Sequence, residues 1–162
     1  MFYEKELKDF NRQGIRYIIV GGIAFNLLGG FRATADLDIL IDLTEDNLSK
    51  LVRLLLKHKY KLMQPVNPLD ILDKKKKMGL IKLKNMKTLS FLKDNSLNAV
   101  DIIFDSPVDF AKAIKSVIKL KVDRMILPVV GIQELMNMKK AAWRPIDQAD
   151  FAELKVLKKL RK

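Results

Sequence analysis

Two adjacent glycines constrain this chain more than any other feature. Gly21 and Gly22 stand between a short β-rich run, residues 16–20 (RYIIV), and an apolar run, residues 23–28 (IAFNLL), that Gly29 and Gly30 close. The expected order is strand, tight turn, buried helix. At such a turn the missing side chains let backbone amides approach a phosphate, and the N-terminus of the following helix adds partial positive charge. The turn is no Walker loop, since no Gly-Lys-Ser/Thr follows, and it lacks the GxGxxG of dinucleotide-binding folds.

After thirteen residues that follow Gly22, Asp36-Leu37-Asp38 opens a second strand, residues 36–41 (DLDILI). Carboxylates two residues apart in a strand project from one face. At about 4 Å and an effective dielectric near 20 they repel by about 4 kcal/mol, so one carboxyl stays protonated or a cation sits between them. Asp101 lies in a third apolar run, residues 97–104 (LNAVDIIF), where an apolar residue would cost less. Three acids against one sheet face suit Mg²⁺, with Mn²⁺ as the alternative, because such cations take carboxylate and phosphate oxygens. With no cysteine and a single histidine, His58, the chain has no thiol nucleophile and no thiolate or multi-histidine metal site.

The remaining pattern alternates helices and strands. Phe2, Leu7 and Phe10 mark a first helix that Gly14 closes, and Thr44 caps a helix over 45–58 with Leu48, Leu51, Val52 and Leu55 facing inward. Residues 60–63 read as a short strand, 65–77 as a Pro-containing, Lys-rich connector, and 80–84 with 88–93 as a hairpin. Pro107 opens a helix to residue 115; strands follow at 117–121 and 125–129, then helices at 132–143 and 147–160. No repeat or linker divides the chain. The fold class is α/β (α+β), a mixed central β-sheet flanked by helices, in one domain spanning 1–162. Residues 1–105 form its catalytic core, and 106–162 add the C-terminal strand pair and helices.

The spacing Gly21-Gly22, Asp36-Leu37-Asp38 and a later strand Asp101 resembles the polymerase-beta-like nucleotidyltransferase superfamily. Val20-Gly-Gly-Ile-Ala with Gly30-Phe-Arg-Ala-Thr-Ala-Asp-Leu-Asp-Ile-Leu40 is similar, more narrowly, to the small prokaryotic branch that includes AbiEii-type and MenT-type toxins. Lys139, Arg144, Asp147 and Asp150 resemble that branch's C-terminal Lys-x4-Arg-x2-Asp-x2-Asp signature. The resemblance implies transfer of a nucleoside monophosphate from a nucleoside triphosphate such as ATP to a macromolecular acceptor, either RNA, such as a tRNA end, or a protein hydroxyl. It implies that Asp36 and Asp38 hold two Mg²⁺ ions, and that Asp101 ligates one and helps deprotonate the acceptor. It further implies that Lys139 neutralises triphosphate charge and that Arg32, Thr34 and Arg144 contact the nucleotide, beside Gly21 and Gly22. A toxin of this kind would have a small cognate regulator, or antitoxin. Gly22 departs from the pattern, standing where many superfamily members carry serine.

Other residues have plainer readings. Asp42, Asp46, Asp105 and Asp109 suit helix caps and turns, and His58 suits a helix end. Trp143 is a core residue, a subunit contact or a base-stacking surface. Thirty-one Lys and Arg against nineteen Asp and Glu leave a formal charge of +12, which favours phosphate-bearing partners. The run Lys74–Lys77 offers phosphate contacts or is simply solvated. The charged N-terminus lacks the apolar segment of a signal peptide, and the longest apolar stretch falls below the roughly 18 residues of a membrane span, so a cytoplasmic protein without membrane contact is expected. Two rivals remain: a catalytically silent nucleotide- or partner-binding protein of the same fold, and a basic nucleic-acid-binding module whose acidic pair is incidental.

Overall fold

A computed structural model describes residues 3–94 and 96–161; Phe2, assigned above to the first helix, lies outside them. Among the described residues seven strands form one sheet: β1 (Tyr17–Ile19), β2 (Leu37–Ile41), β3 (Tyr60–Leu62), β4 (Thr88–Lys93), β5 (Ala99–Ile103), β6 (Ile118–Val122) and β7 (Met125–Val129), in the order β3-β4-β5-β2-β1-β7-β6. The sheet is mixed, with β2 parallel to β5 and β1 parallel to β7, and the other neighbours antiparallel. The C-terminal strand pair is thus joined to the core sheet through β1.

Among the described residues seven α-helices accompany the sheet: α1 (Glu4–Arg12), α2 (Gly21–Leu27), α3 (Glu45–Lys57), α4 (Lys74–Lys84), α5 (Phe110–Ala113), α6 (Ile132–Ala142) and α7 (Pro145–Leu160). Thr44 accepts the Asn47 amide at the start of α3, and buried Asn47 then ties the end of β2 to the start of β1 through the Asp42 and Arg16 carbonyls, 2.9 and 3.0 Å. Burial alternates along β4 and β5. Leu89, Phe91, Val100 and Ile102 are fully buried, whereas Thr88, Ser90, Asp101 and Ile103 on the other face are only half-buried. In a period-two strand this means one packed face and one open face.

Three expectations need correction. Residues 80–84 belong to α4 and make no hairpin with β4, whose partners are β3 and β5. The Lys run opens that same helix: Asp73 accepts the Lys76 amide at 2.8 Å as an N-cap, and Asn85 closes the helix in the left-handed region at φ 48°. Third, the helix after Pro107 is one turn, capped by Asp109 through Lys112 at 2.8 Å and followed by a 3₁₀ turn over Ile114–Ser116.

Candidate active site

The acids come first. Asp38 and Asp101 sit directly opposite each other on the parallel neighbours β2 and β5, so their side chains leave the same open face about 4.8 Å apart in backbone terms. Asp36 precedes β2 by one residue and is exposed. Tyr3 secures this approach: its hydroxyl lies within hydrogen-bond distance of both the Ala35 and Ala99 carbonyls, binding the segment before Asp36 to the start of β5.

Electrostatics follow from that geometry. Burial, then the charges of Asp101 and Asp36, push the Asp38 carboxyl up to about 7, against the opposing pull of Lys139 and of the Gly22 N–H. Burial also raises Asp101, which a hydrogen bond from the Ser90 side chain partly offsets and the Asp36 charge reinforces. Lys139, the cation that acts on Asp38, makes its ion pairs with Asp147 and Asp150 instead, so burial and mutual repulsion prevail at Asp38. Among the described residues no three acids are drawn together tightly enough to enclose an ion. An open, oxygen-only set of this kind fits a cation that keeps several of its waters, as Mg²⁺ does.

The glycine turn has a more specific role than a bare phosphate cradle. Gly21 has φ +64°, and a Cβ there would lie 1.9 Å from Asp38 Oδ2. Gly22 donates its N–H to the Asp38 carboxylate. The pair therefore seats the central acid. A Cβ on Gly22 would stand 2.5 Å from Thr34 Oγ1 and 2.6 Å from Arg32 Nη2. The space a serine side chain would enter already holds the Thr34 hydroxyl and the Arg32 guanidinium, which accounts for the glycine at this position.

A chain of charges links this corner to the C-terminal helices. Arg32 Nε meets Asp150 Oδ2 at 3.1 Å; Lys139 Nζ meets Asp150 Oδ2 at 2.7 Å and Asp147 Oδ1 at 3.1 Å; Arg144 Nε meets Asp147 Oδ2 at 2.7 Å. Lys139, Asp147 and Asp150 are buried. Burial alone would raise Asp147, but its hydrogen bonds with Arg144 and Lys139 leave it below the usual carboxylate range. Asp147 and Asp150 are therefore structural partners of the three cations. Of those cations only Arg144 is exposed, and it feels the Asp38 charge.

The plainer residues are also placed. His58 ends α3 with Nε2 2.9 Å from Asp9, Asp42 pairs with Arg16 at 2.6 Å, and Trp143 is half-exposed at the end of α6, packed edge-to-face on Phe151 rather than in the core. Sequence reasoning missed Ser90, whose signal was only its register opposite Asp101. It also missed a cavity of about 950 Å³ on the open sheet face beside Ser90. Among the described residues no helix is long and apolar enough to cross a membrane.

No protein-family model and no curated protein matches the chain. Solved structures do. It resembles the lincosamide antibiotic adenylyltransferase LnuA, determined with lincomycin bound, with a TM-score of 0.64 and 14% identity over 94% of each chain. It also resembles TM1012, a candidate nucleotidyltransferase from Thermotoga maritima, with a TM-score of 0.51 and 16% identity over 98% of this chain and 92% of the other. The seven-stranded mixed sheet with its helices is thus the fold of nucleotidyltransferase structures.

Proposed function

We propose that this protein is a Mg²⁺-dependent nucleotidyltransferase that moves a nucleoside monophosphate from a nucleoside triphosphate to a hydroxyl of a macromolecule, RNA or protein. The observation that carries this reading is the in-register pair Asp38 and Asp101 on the open face of β2 and β5, with Asp38 seated by the glycine turn. Asp36, Asp38 and Asp101 would hold the metal. When bound, it shields triphosphate charge and stabilises the attacking and leaving oxygens. Arg32, Thr34 and Arg144 flank the acids and bind phosphate, while Lys139, matched by two carboxylates, supplies positive field and holds the C-terminal helices in place. Asp101 takes the acceptor proton, a task its raised affinity for protons favours.

LnuA, by its name, modifies a small antibiotic; the +12 charge of this chain favours a polyanionic acceptor instead. The same reading places the protein in the branch of AbiEii-type and MenT-type toxins, acting in the cytoplasm under a small cognate antitoxin. The test is label transfer from each α-labelled nucleoside triphosphate, with Mg²⁺, to total RNA and to protein, beside Asp38→Asn. Label that disappears in the folded variant supports the enzyme. Mg²⁺-dependent triphosphate binding without transfer to any acceptor would replace it with the catalytically silent homologue.

A further inference from the structure

The cavity on the open face has its own chemistry. It lies between the turn after α4 and the C-terminal end of α6, with Thr88, Ser90 and Ile103 as its sheet wall. Ser90 stands directly opposite Asp101 in the antiparallel register of β4 and β5 and lines the cavity, so the cavity opens beside the acid assigned to deprotonate the acceptor. At about 950 Å³ it is near the top of the roughly 300–1,000 Å³ range of ligand sites. Three cations line it, Lys84, Lys87 and Arg144, against one acid, Asp105, which stands 3.8 Å from Lys87. Among the described residues Lys84 has no acidic partner, and both lysines are exposed. Met86, Ile103 and Met138 add apolar surface suited to a sugar or base.

Resting on the nucleotidyltransferase reading, we propose that this cavity is the acceptor site, and that it selects a hydroxyl carried next to a phosphate, with Lys84 and Lys87 as the specificity-determining residues. Such a hydroxyl occurs at the 3′ end of an RNA or in a free nucleoside monophosphate. In the transfer, the acceptor oxygen forms a bond to the α-phosphorus, the bond from that phosphorus to the bridging oxygen breaks, pyrophosphate leaves, and the hydroxyl proton passes to Asp101. The two lysines neutralise the acceptor's phosphate and leave its hydroxyl toward Asp101. A protein hydroxyl needs neither cation.

Binding tests this without relying on turnover. A short labelled RNA with a free 3′ hydroxyl and a labelled nucleoside monophosphate are each titrated into the full chain at fixed salt. The titrations are repeated for Lys84→Glu/Lys87→Glu and for Lys119→Glu/Lys121→Glu, the same charge change on exposed residues of β6 at the opposite side of the sheet. The expected result is weakening of about tenfold or more for the cavity variant and less than about threefold for the β6 variant. Tight RNA binding with weak monophosphate binding identifies the RNA end as the source, and comparable binding identifies the free nucleotide. Equal weakening by both variants, or none by the cavity variant, overturns the proposal. Loss of transfer in Asp38→Asn, followed separately, reports on the parent reading whichever way binding falls.

Discussion

Replacing Asp38 by asparagine should make the protein more stable while removing its activity. The carboxyl, ordinarily near 3.8, is pushed up to about 7 by burial and by the charges of Asp101 and Asp36. A rise of about three pH units corresponds to about 4 kcal/mol at 1.36 kcal/mol per unit. The sign follows from linkage: below pH 3.8 Asp38 is protonated in both folded and unfolded chains and costs nothing. Between 3.8 and 7 the unfolded chain ionises first, and above 7 the folded state carries the full penalty. Asparagine keeps an oxygen for the Gly22 N–H and carries no charge. Urea unfolding should therefore show Asp38→Asn matching wild type near pH 4, gaining about half the difference near pH 5.5 and about 4 kcal/mol at pH 8, or roughly 10 °C in Tm. Adding Mg²⁺ at pH 8 should raise the wild-type Tm and leave the variant unmoved. A variant no more stable than wild type at pH 8, or a gap independent of pH, would refute the claim that the Asp38 carboxyl is buried beside its acidic neighbours at a cost.

Lys139→Met should cost about 3 kcal/mol in urea unfolding, the low end for a broken buried ion pair, because it removes the cation shared by Asp147 and Asp150 but leaves Asp147 with Arg144 and Asp150 with Arg32. Gly21→Ala meets both a left-handed backbone, about 1–2 kcal/mol for a residue with a side chain, and the Asp38 carboxylate at 1.9 Å; label transfer should fall by about 100-fold or more, and wild-type rates would show that Asp38 does not need its seat. Gly22→Ser should also lower transfer, since its Cβ meets Thr34 Oγ1 at 2.5 Å. Gly22→Ser/Thr34→Ala, which moves the hydroxyl to the other side of the same space, should recover part of that loss in the same assay, and a double variant worse than the single one would dismiss the exchange.

The strand, glycine turn and acid pair were legible because each is a local pattern. An apolar run stops at Gly21, and Asp36 and Asp38 alternate with Leu37 and Ile39, which puts both acids on one strand face. The assignment of residues 65–84 failed for a local reason too. Pro65, Pro68 and four lysines suppress any amphipathic signal, and the deciding interaction is the Asp73 cap on the Lys76 amide. A helix of low apolar content then looks like a connector. The pairing of Ser90 with Asp101 depends on the register of two strands whose partners are set by the whole sheet. The cavity depends on which sheet face the helices leave open, a choice made by tertiary packing and absent from any single segment.

The buried charge chain shows most clearly why a motif is not yet a site. In the sequence, Lys139, Arg144, Asp147 and Asp150 resemble a family signature that implies a lysine neutralising triphosphate charge. In the fold the lysine is enclosed by two aspartates, and the outward link is Asp150 to Arg32, 118 residues away along the chain. Buried ion pairs seldom stabilise more than apolar packing of the same volume would, so stability alone does not explain this arrangement. Its position does. Arg32 lies against Gly22, Gly22 donates to Asp38, and the loop carrying Arg32 and Thr34 runs straight into Asp36. Helix α7 thereby holds the segment that places the acids, and Lys139 fixes the carboxylate that does the holding. In the proposed reaction the C-terminal signature acts chiefly by positioning the N-terminal one.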